Sequence, residues 1–158
     1  MEMVVQVEIN KPANENRGYR RPYVAVWLED KDEFPIRTLA LWLQTTGKGM
    51  RWLPDLKRWN KNDGLRKVVD DTDLVRTVSS ATRVPGKYKL VWDGKDDGGK
   101  LINQGQYTLY IEAAREHGSY QLIKEEITIG ENPFSKTLKG NQEIKGATVE
   151  YKQKQGGR

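Results

Sequence analysis

The chain has 158 residues, one histidine, no cysteine and a formal net charge of +5, from 27 Lys and Arg against 22 Asp and Glu. Without cysteine it has no disulfide, thiolate nucleophile or Cys-ligated metal, and one histidine excludes a multi-His cluster. The positive charge is spread along the chain, so we expect no nucleic-acid partner. We predict one domain over residues 1–152 and a disordered tail over 153–158.

Apolar and polar residues alternate along most of the chain, which is the period of a half-buried β-strand. The segment 23–28 is apolar at every position and is typical of a central strand. A change of phase between Leu122 and Ile123 predicts a β-bulge. Predicted strands cover about 3–9, 23–28, 35–43, 88–92, 107–113, 120–129 and 147–152.

These strands, joined by turns rich in Gly, Pro and Asn, predict an all-β, immunoglobulin-like β-sandwich of about seven or more strands. Because successive side chains of a strand point to opposite faces, we expect the alternating apolar residues of each strand to face the interior. The predicted core is Val5, Val7, Val26, Leu39, Leu41, Leu90, Trp92, Tyr107, Leu109 and Ile111.

An insertion at about residues 45–82 lacks this alternation. A short helix is predicted over 54–59 and a second over 71–78, capped by Asp71 or Thr72. Long connections of this kind are usually functional or flexible, so we predict that the insertion makes the functional contact. The candidate ligand or partner contacts are Arg51, Trp52, Lys57, Arg58 and Trp59.

Two interpretations of these aromatic and basic residues stay open. Trp52 and Trp59 can stack on a sugar, base or flavin ring, which gives a module that binds carbohydrate or a surface polymer. Alternatively, they form a small second core beneath the insertion, with the Lys and Arg stems packed around it.

Two groups of motifs carry resemblances. The segments 91–100 (VWDGKDDGGK) and 105–110 (GQYTLY) resemble the W-D-G-x-D-x-x-G … G-x-Y signature of the immunoglobulin-like domain in flagellar hook-capping proteins. The segments 23–30, 37–42, 51–59 and 110–118 resemble a bacterial family of predicted periplasmic proteins of unknown function, over about 4–151. The second resemblance implies a periplasmic location and no established activity.

Members of that family occur with PepSY-type membrane proteins and with the periplasmic flavin transferase, so the resemblance implies one of these as a partner. Acceptors of the transferase carry D-x-x-[ST]-G-A-T, with FMN joined through phosphate to the final Thr. The segment 76–82 (RTVSSAT) matches at Ser79, Ala81 and Thr82, but Ser80 replaces the Gly and Arg76 the Asp. Thr82 is the candidate FMN attachment site, against a plain polar loop, and the segment 145–148 (KGAT) shows that G-A-T also occurs by chance.

The other candidate sites have structural explanations that we favour. Asp93, Asp96 and Asp97 resemble a Ca²⁺ loop, but Lys95 occupies a ligand position, so we expect hairpin capping and no metal. His117 lies in a hairpin turn and is expected to bond the backbone.

Glu112, Glu125 and Glu126 lie in strands, and Glu112 and Glu126 would serve as paired carboxylates of a glycosidase only if they faced each other. Charged residues in strands usually lie on the solvent face, so we predict no enzyme activity.

The sequence begins directly in a strand-like alternation, so we expect the periplasmic protein to have lost a leader ahead of Met1. The function predicted from all these features is that of a periplasmic, non-enzymatic accessory or binding module, placed by the resemblance in a flavin-linked redox system. Two alternatives remain: a covalently flavinylated electron carrier through Thr82, and the carbohydrate- or polymer-binding module.

Overall fold

The computed structural model describes residues 1–12, 19–116 and 118–153. Within these ranges, nine strands and three helical segments follow one another. They are β1 (Glu2–Ile9), β2 (Tyr23–Asp30), β3 (Pro35–Trp42), a 3-10 helix (Gly49–Asp55), α1 (Lys57–Val69), α2 (Leu74–Val78), β4 (Ser79–Ser80), β5 (Gly86–Trp92), β6 (Gly105–Ala114), β7 (Tyr120–Ile129), β8 (Phe134–Lys139) and β9 (Ile144–Lys152).

The strands form two sheets, ordered β5-β1-β9-β8 and β4-β3-β2-β6-β7. Neighbours pair antiparallel except β3 and β4, which are parallel. The prediction of an all-β sandwich with a partly helical insertion is confirmed. Two strands were not predicted from the sequence. Strand β4 has only two residues, and β8 has the sequence FSKTLK, in which only Phe134 and Leu138 are large and apolar.

The main core lies between the sheets and contains the inward residues of every long strand. In β1 the buried side chains alternate strictly with half-buried ones, as the sequence predicts. Leu39 and Leu90 pack only partly buried against this core. Both side chains are only partly buried because they lie at sheet edges. Leu90 is in edge strand β5. Strand β4 pairs only with Leu41 and Trp42 of β3, so Leu39 lies beside an open edge.

A second core lies on the opposite face of the five-stranded sheet, beneath the helices. This explains why residues 23–28 are apolar at every position: β2 is covered by the main core on one face and by the helical layer on the other. The buried members of this second core are Tyr23, Ala25, Trp27, Leu41, Leu43, Leu56, Trp59, Leu74, Tyr110 and Ala114.

The helical layer differs from its prediction in length and capping. Helix α1 runs to Val69 rather than ending near Trp59. Helix α2 begins at Leu74, and its cap is Asp73, whose side chain accepts a hydrogen bond from the Arg76 amide, rather than Asp71 or Thr72. No helix within the described ranges is long and apolar enough to cross a membrane.

The predicted bulge in β7 is wrong. The register between β6 and β7 is unbroken from Gly105–Ile129 to Ala114–Tyr120. The change of phase has another cause: Leu122 is an exposed apolar residue on the outer face, while Ile123 packs against the main core on the inner face.

Candidate functional site

A cavity of about 300 Å³ lies where the helical insertion meets the chain segment that leads into β2. Five separate parts of the chain contribute to its wall, so no short motif encodes it. The lining residues are Tyr19, Arg20, Arg21, Tyr23, Gln44, Trp52, Asp55, Thr82, Ala114 and Glu116. We refer to it as the Thr82 cavity.

Thr82 reaches the cavity because β4 anchors the chain just before it. Ser79 and Ser80 pair parallel with the end of β3, and the Leu43 amide donates to the Ser80 carbonyl oxygen over 2.9 Å. On the other side, the Arg83 guanidinium donates to Ser80 Oγ at 3.1 Å and lies 5.1 Å from the centre of the Trp42 ring. The half-buried Thr82 is therefore held between two fixed neighbours.

Tyr23 joins the 3-10 helix that carries Trp52 to the sheet. Its hydroxyl donates to the Gly49 carbonyl oxygen at 2.6 Å and also lies 3.3 Å from the Gln44 carbonyl oxygen. A Cβ at Gly49 would lie 2.1 Å from that Gln44 oxygen, so this close approach requires glycine. Burial raises the pKa of the Tyr23 phenol, and the Glu116 charge adds to the effect.

The cavity wall carries both signs of charge and several aromatic rings. Arg20 and Arg21 are exposed at its rim, and Asp55 and Glu116 supply two carboxylates. The Tyr19 hydroxyl is buried and finds no hydrogen-bond partner among residues 1–12, 19–116 and 118–153. Burial, followed by the Glu143 charge, raises its pKa. Such a wall suits a small ligand that has a ring and polar groups.

The five contact residues predicted from the sequence do not form one surface. Trp52 lines the Thr82 cavity, and Arg51 is exposed outside it. Lys57 and Arg58 line a separate groove. Trp59 is 2% exposed in the second core, and its Nε1 donates to Thr38 Oγ1 at 3.1 Å, so its indole faces no ligand at the surface.

Sequence reasoning missed the role of Glu112, which is fully buried beneath α1. Its Oε2 accepts from the Arg58 amide at 2.8 Å, and its Oε1 accepts from the Trp59 amide at 2.9 Å. Tyr120 also donates its hydroxyl to Glu112. These amides belong to the first turn of α1, so the carboxylate caps the positive end of a helix that has no side-chain cap of its own. The available signal was one charged residue inside the apolar run YIEAA.

Glu29 is the second buried carboxylate under the insertion. Its Oε2 accepts from Trp27 Nε1 at 2.8 Å and from Asn62 Nδ2 at 2.7 Å. The Arg58 guanidinium donates to both oxygens of this carboxylate: Nε donates to Oε2 at 3.1 Å, and Nη2 donates to Oε1 at 2.7 Å. These hydrogen bonds raise the pKa of the Arg58 guanidinium, which also lies 4.2 Å from the centre of the Tyr110 ring. The two carboxylates thus tie α1 to β2 and β6.

The hypothetical pair of catalytic carboxylates does not form. The register places Leu122 opposite Glu112 and Thr108 opposite Glu126, so the two glutamates do not face each other across the hairpin. His117 lies outside the described residues.

The Asp-rich loop caps its own backbone. Asp93 accepts from the Lys95 amide at 3.0 Å, and Asp96 accepts from the Gly98 and Lys100 amides at 2.9 Å each. Asp97 turns inward and accepts from the Thr38 amide of β3 at 3.0 Å, while its other oxygen is buried without a partner in the described chain. Burial raises the pKa of Asp97 to about 6.

Comparison with known proteins gives the family. No curated protein and no solved structure matches the chain. A protein-family model described as "Predicted periplasmic protein (DUF2271)" matches residues 3–146, which is most of the chain and agrees with the resemblance in its motifs. The chain therefore belongs to the DUF2271 family of predicted periplasmic proteins.

Proposed function

We propose that the protein is a non-enzymatic periplasmic binding module whose ligand contacts the Thr82 cavity. One observation carries this proposal: segments as distant as Tyr19–Tyr23, Trp52, Thr82 and Glu116 converge on one concave, partly aromatic site. Ligand sites are typically concave, with rings and a few polar groups. The two tyrosines, Trp52 and the charged rim provide both.

The setting that we propose is a flavin-linked redox system, in which a PepSY-type membrane protein or the flavin transferase is the partner. Support comes from the family membership and from the association with those proteins that the resemblance implies. The chemistry of the cavity is compatible with this setting, because the aromatic residues Tyr23 and Trp52 line it and Arg20 and Arg21 supply charge for a phosphate.

A second candidate is covalent attachment of FMN through its phosphate to the Thr82 hydroxyl. The donor is a flavin adenine dinucleotide: the Thr82 oxygen attacks the phosphorus of its FMN half, the pyrophosphate bond breaks, AMP leaves and the hydroxyl proton passes to solvent. Thr82 lies in the cavity wall, so an attached group would begin inside the site. The replacement of Gly by Ser80 is no steric obstacle in this fold, because Ser80 ends an extended strand and Glu33 is the only non-glycine with positive φ in the described ranges. Bound there, FMN would supply one- and two-electron chemistry, and the chain would position it.

Intact mass spectrometry tests the covalent candidate. The chain is expressed with a leader in a periplasm that holds an active flavin transferase. We expect the mass of one esterified FMN, lost in Thr82→Val and retained in Thr148→Val, which alters the other G-A-T segment at an exposed position of β9. Unmodified wild-type protein, or equal loss of the modification in both variants, would contradict attachment at Thr82.

Calorimetry with free FMN tests the binding module independently of attachment. We expect Trp52→Ala and Arg21→Ala to weaken binding at least fivefold, while Lys87→Ala, exposed on β5 of the other sheet, leaves it unchanged. Binding of a neutral oligosaccharide instead of FMN would favour the carbohydrate alternative, which now depends on Trp52 because Trp59 is buried. Absence of both would contradict a ligand site at this cavity.

A further inference from the structure

One wall of the Thr82 cavity is made of residues 19–21, which lie outside every strand and helix. The buried Pro22 connects them to β2. Arg20 and Arg21 are exposed, while Tyr19 is half-buried. Holding such an irregular segment in one conformation costs backbone entropy, so its place at the cavity depends on contacts with the rest of the fold. We call residues 19–21 the arginine segment.

Arg115 contacts the arginine segment through the Tyr19 ring. Its Cζ lies 5.5 Å from the centre of that ring, within the range of a cation–π interaction. The Tyr19 hydroxyl is buried without a hydrogen-bond partner in the described chain, so the contact with Arg115 is made by the ring and not by the hydroxyl. Arg115 itself is not among the described residues that line the cavity.

Glu143 anchors Arg115 from the other sheet. Arg115 follows β6 of the five-stranded sheet, and Glu143 precedes β9 of the four-stranded sheet. The Arg115 Nε donates to Glu143 Oε1 at 2.9 Å, and Ser119 Oγ donates to the same oxygen at 2.6 Å. The Glu143 side chain is only 5% exposed, so solvent and salt screen this ion pair less than a surface pair.

The turn between β6 and β7 closes around Arg115. The Arg115 amide donates to the Ser119 carbonyl oxygen at 3.2 Å, and the Gly118 amide donates to the Arg115 carbonyl oxygen at 2.8 Å. A Cβ at Gly118 would lie 2.8 Å from Arg115 Cζ, so the guanidinium packs directly against this glycine. Backbone, glycine and carboxylate together fix the guanidinium that the Tyr19 ring contacts.

We infer that Arg115 is a positioning residue of the Thr82 cavity. Anchored by Glu143, it holds the Tyr19 ring in place. The arginine segment then presents Arg20 and Arg21 at the rim, where they meet the phosphate of the bound ligand. This inference rests on the function proposed above. It makes ligand affinity depend on an ion pair between the sheets, because guanidinium groups that are not preorganised bind a phosphate less tightly.

The ratio of the affinity for FMN to the affinity for riboflavin measures the placement of the two rim arginines, because these ligands differ only in the phosphate. We expect Arg115→Gln and Tyr19→Leu each to lower this ratio at least fivefold in calorimetry. Tyr19→Phe leaves it unchanged, because it removes only the hydroxyl. Lys145→Gln breaks an exposed ion pair with Glu8 on β9 and also leaves the ratio unchanged.

A double-mutant cycle tests whether Arg115 acts through Tyr19. In the Tyr19→Leu background, Arg115→Gln should lower the ratio no further. Additive losses would overturn the proposal, as would an equal loss in Tyr19→Phe. An Arg115→Gln protein that binds both ligands more weakly by the same factor would also overturn it, because general destabilisation leaves the ratio constant.

Backbone dynamics of the free chain test the positioning without any ligand. We expect the NMR order parameters of the Arg20 and Arg21 amides to fall below about 0.6 in Arg115→Gln, while those in β2 stay the same as in wild type. Unchanged order parameters would overturn the positioning role. If wild type binds neither FMN nor riboflavin but the order parameters fall, the proposed function is contradicted and the hold of Arg115 on the arginine segment is confirmed.

Discussion

Trp92 and Trp59 are both buried, yet they belong to two different kinds of core. Trp92 lies between the sheets among apolar neighbours, and only its Nε1 needs a partner, the Lys95 carbonyl oxygen at 2.8 Å. Trp59 lies under α1, in a core interleaved with buried Glu29, Glu112, Asn62 and Arg66. The first core rests mainly on apolar burial, whereas the second also depends on hydrogen bonds to buried charged groups.

The difference affects how each region can open. An apolar core loses contacts gradually as it loosens, but a buried carboxylate that loses one donor leaves a charge uncompensated. We therefore expect local opening to begin at α1, while the sandwich remains folded.

The largest expected effect comes from the main core. Trp92→Ala should lower the free energy of unfolding by about 4 kcal/mol, because it leaves a large cavity between the sheets. Urea titration measures this. Val91→Ala, its 58% exposed neighbour in the same strand, should change stability by less than about 0.5 kcal/mol. Similar losses for the two variants would show that Trp92 is not a core residue.

Trp59→Ala should lower the free energy of unfolding by about 3 kcal/mol, since an open helical layer relaxes around the cavity more easily than the sandwich does. Arg51→Ala, exposed in the preceding 3-10 helix, should leave stability within about 0.5 kcal/mol of wild type. Thermal and urea unfolding of both variants compare the two residues. A stable Trp59→Ala protein would restore Trp59 as a candidate contact residue.

Glu112→Gln separates the polar bonds from the apolar burial. It should lower stability by about 2 kcal/mol, because the amide NH2 group faces the Arg58 or Trp59 N–H and the helix loses its anion. Hydrogen exchange at those two amides should accelerate more than exchange in β2. Glu125→Gln on the same hairpin is the control and should change neither quantity.

The smallest effect concerns pH. In the folded chain, burial raises the pKa of Asp97 to about 6, against the Thr38 amide and the Arg66 and Arg37 charges, which lower it. The bound proton therefore stabilises the fold fully below about pH 4, and this contribution is lost as the pH rises through about 6. Asp97→Asn removes the buried charge and keeps an oxygen for Thr38.

Urea titrations at two pH values measure this effect. Asp97→Asn should be more stable than wild type by about 1 kcal/mol at pH 7.5, after allowing for solvent screening, and equal to it near pH 4. The exposed Asp71→Asn makes the same charge change and should show no such gain. A gain that persists at pH 4 would mean that desolvation of the charge is not its cause.

The contrast between the two cores also explains what the sequence could predict. The alternation of apolar residues in β1 indicates burial on one face, and the apolar run at the start of β2 indicates burial on both faces. The sandwich can therefore be predicted from periodicity and composition. The partners of the second core are far apart: Glu112 is 54 residues from Arg58, and Glu29 is 33 from Asn62. From the sequence alone, a glutamate in a strand that faces water cannot be distinguished from one that caps a helix.

The candidate site shows the same limit. Trp52 and Thr82 were both selected from the sequence, but no spacing rule places them on one cavity. Their proximity depends on the parallel pairing of β4 with β3, a two-residue contact without a sequence signature. The separation of Trp59 from Trp52 likewise depends on where α1 lies against the sheet.

Because Glu112 caps α1, the order in which segments of the chain fold is constrained. A helix of 13 residues is marginal in isolation, and this one finds its anion only in a strand that follows it along the chain. Pulse-labelled hydrogen exchange during refolding should therefore protect β6 before the Arg58 and Trp59 amides. On this order of folding, the insertion, which ends at Thr82, stays accessible to solvent until the sheet has closed.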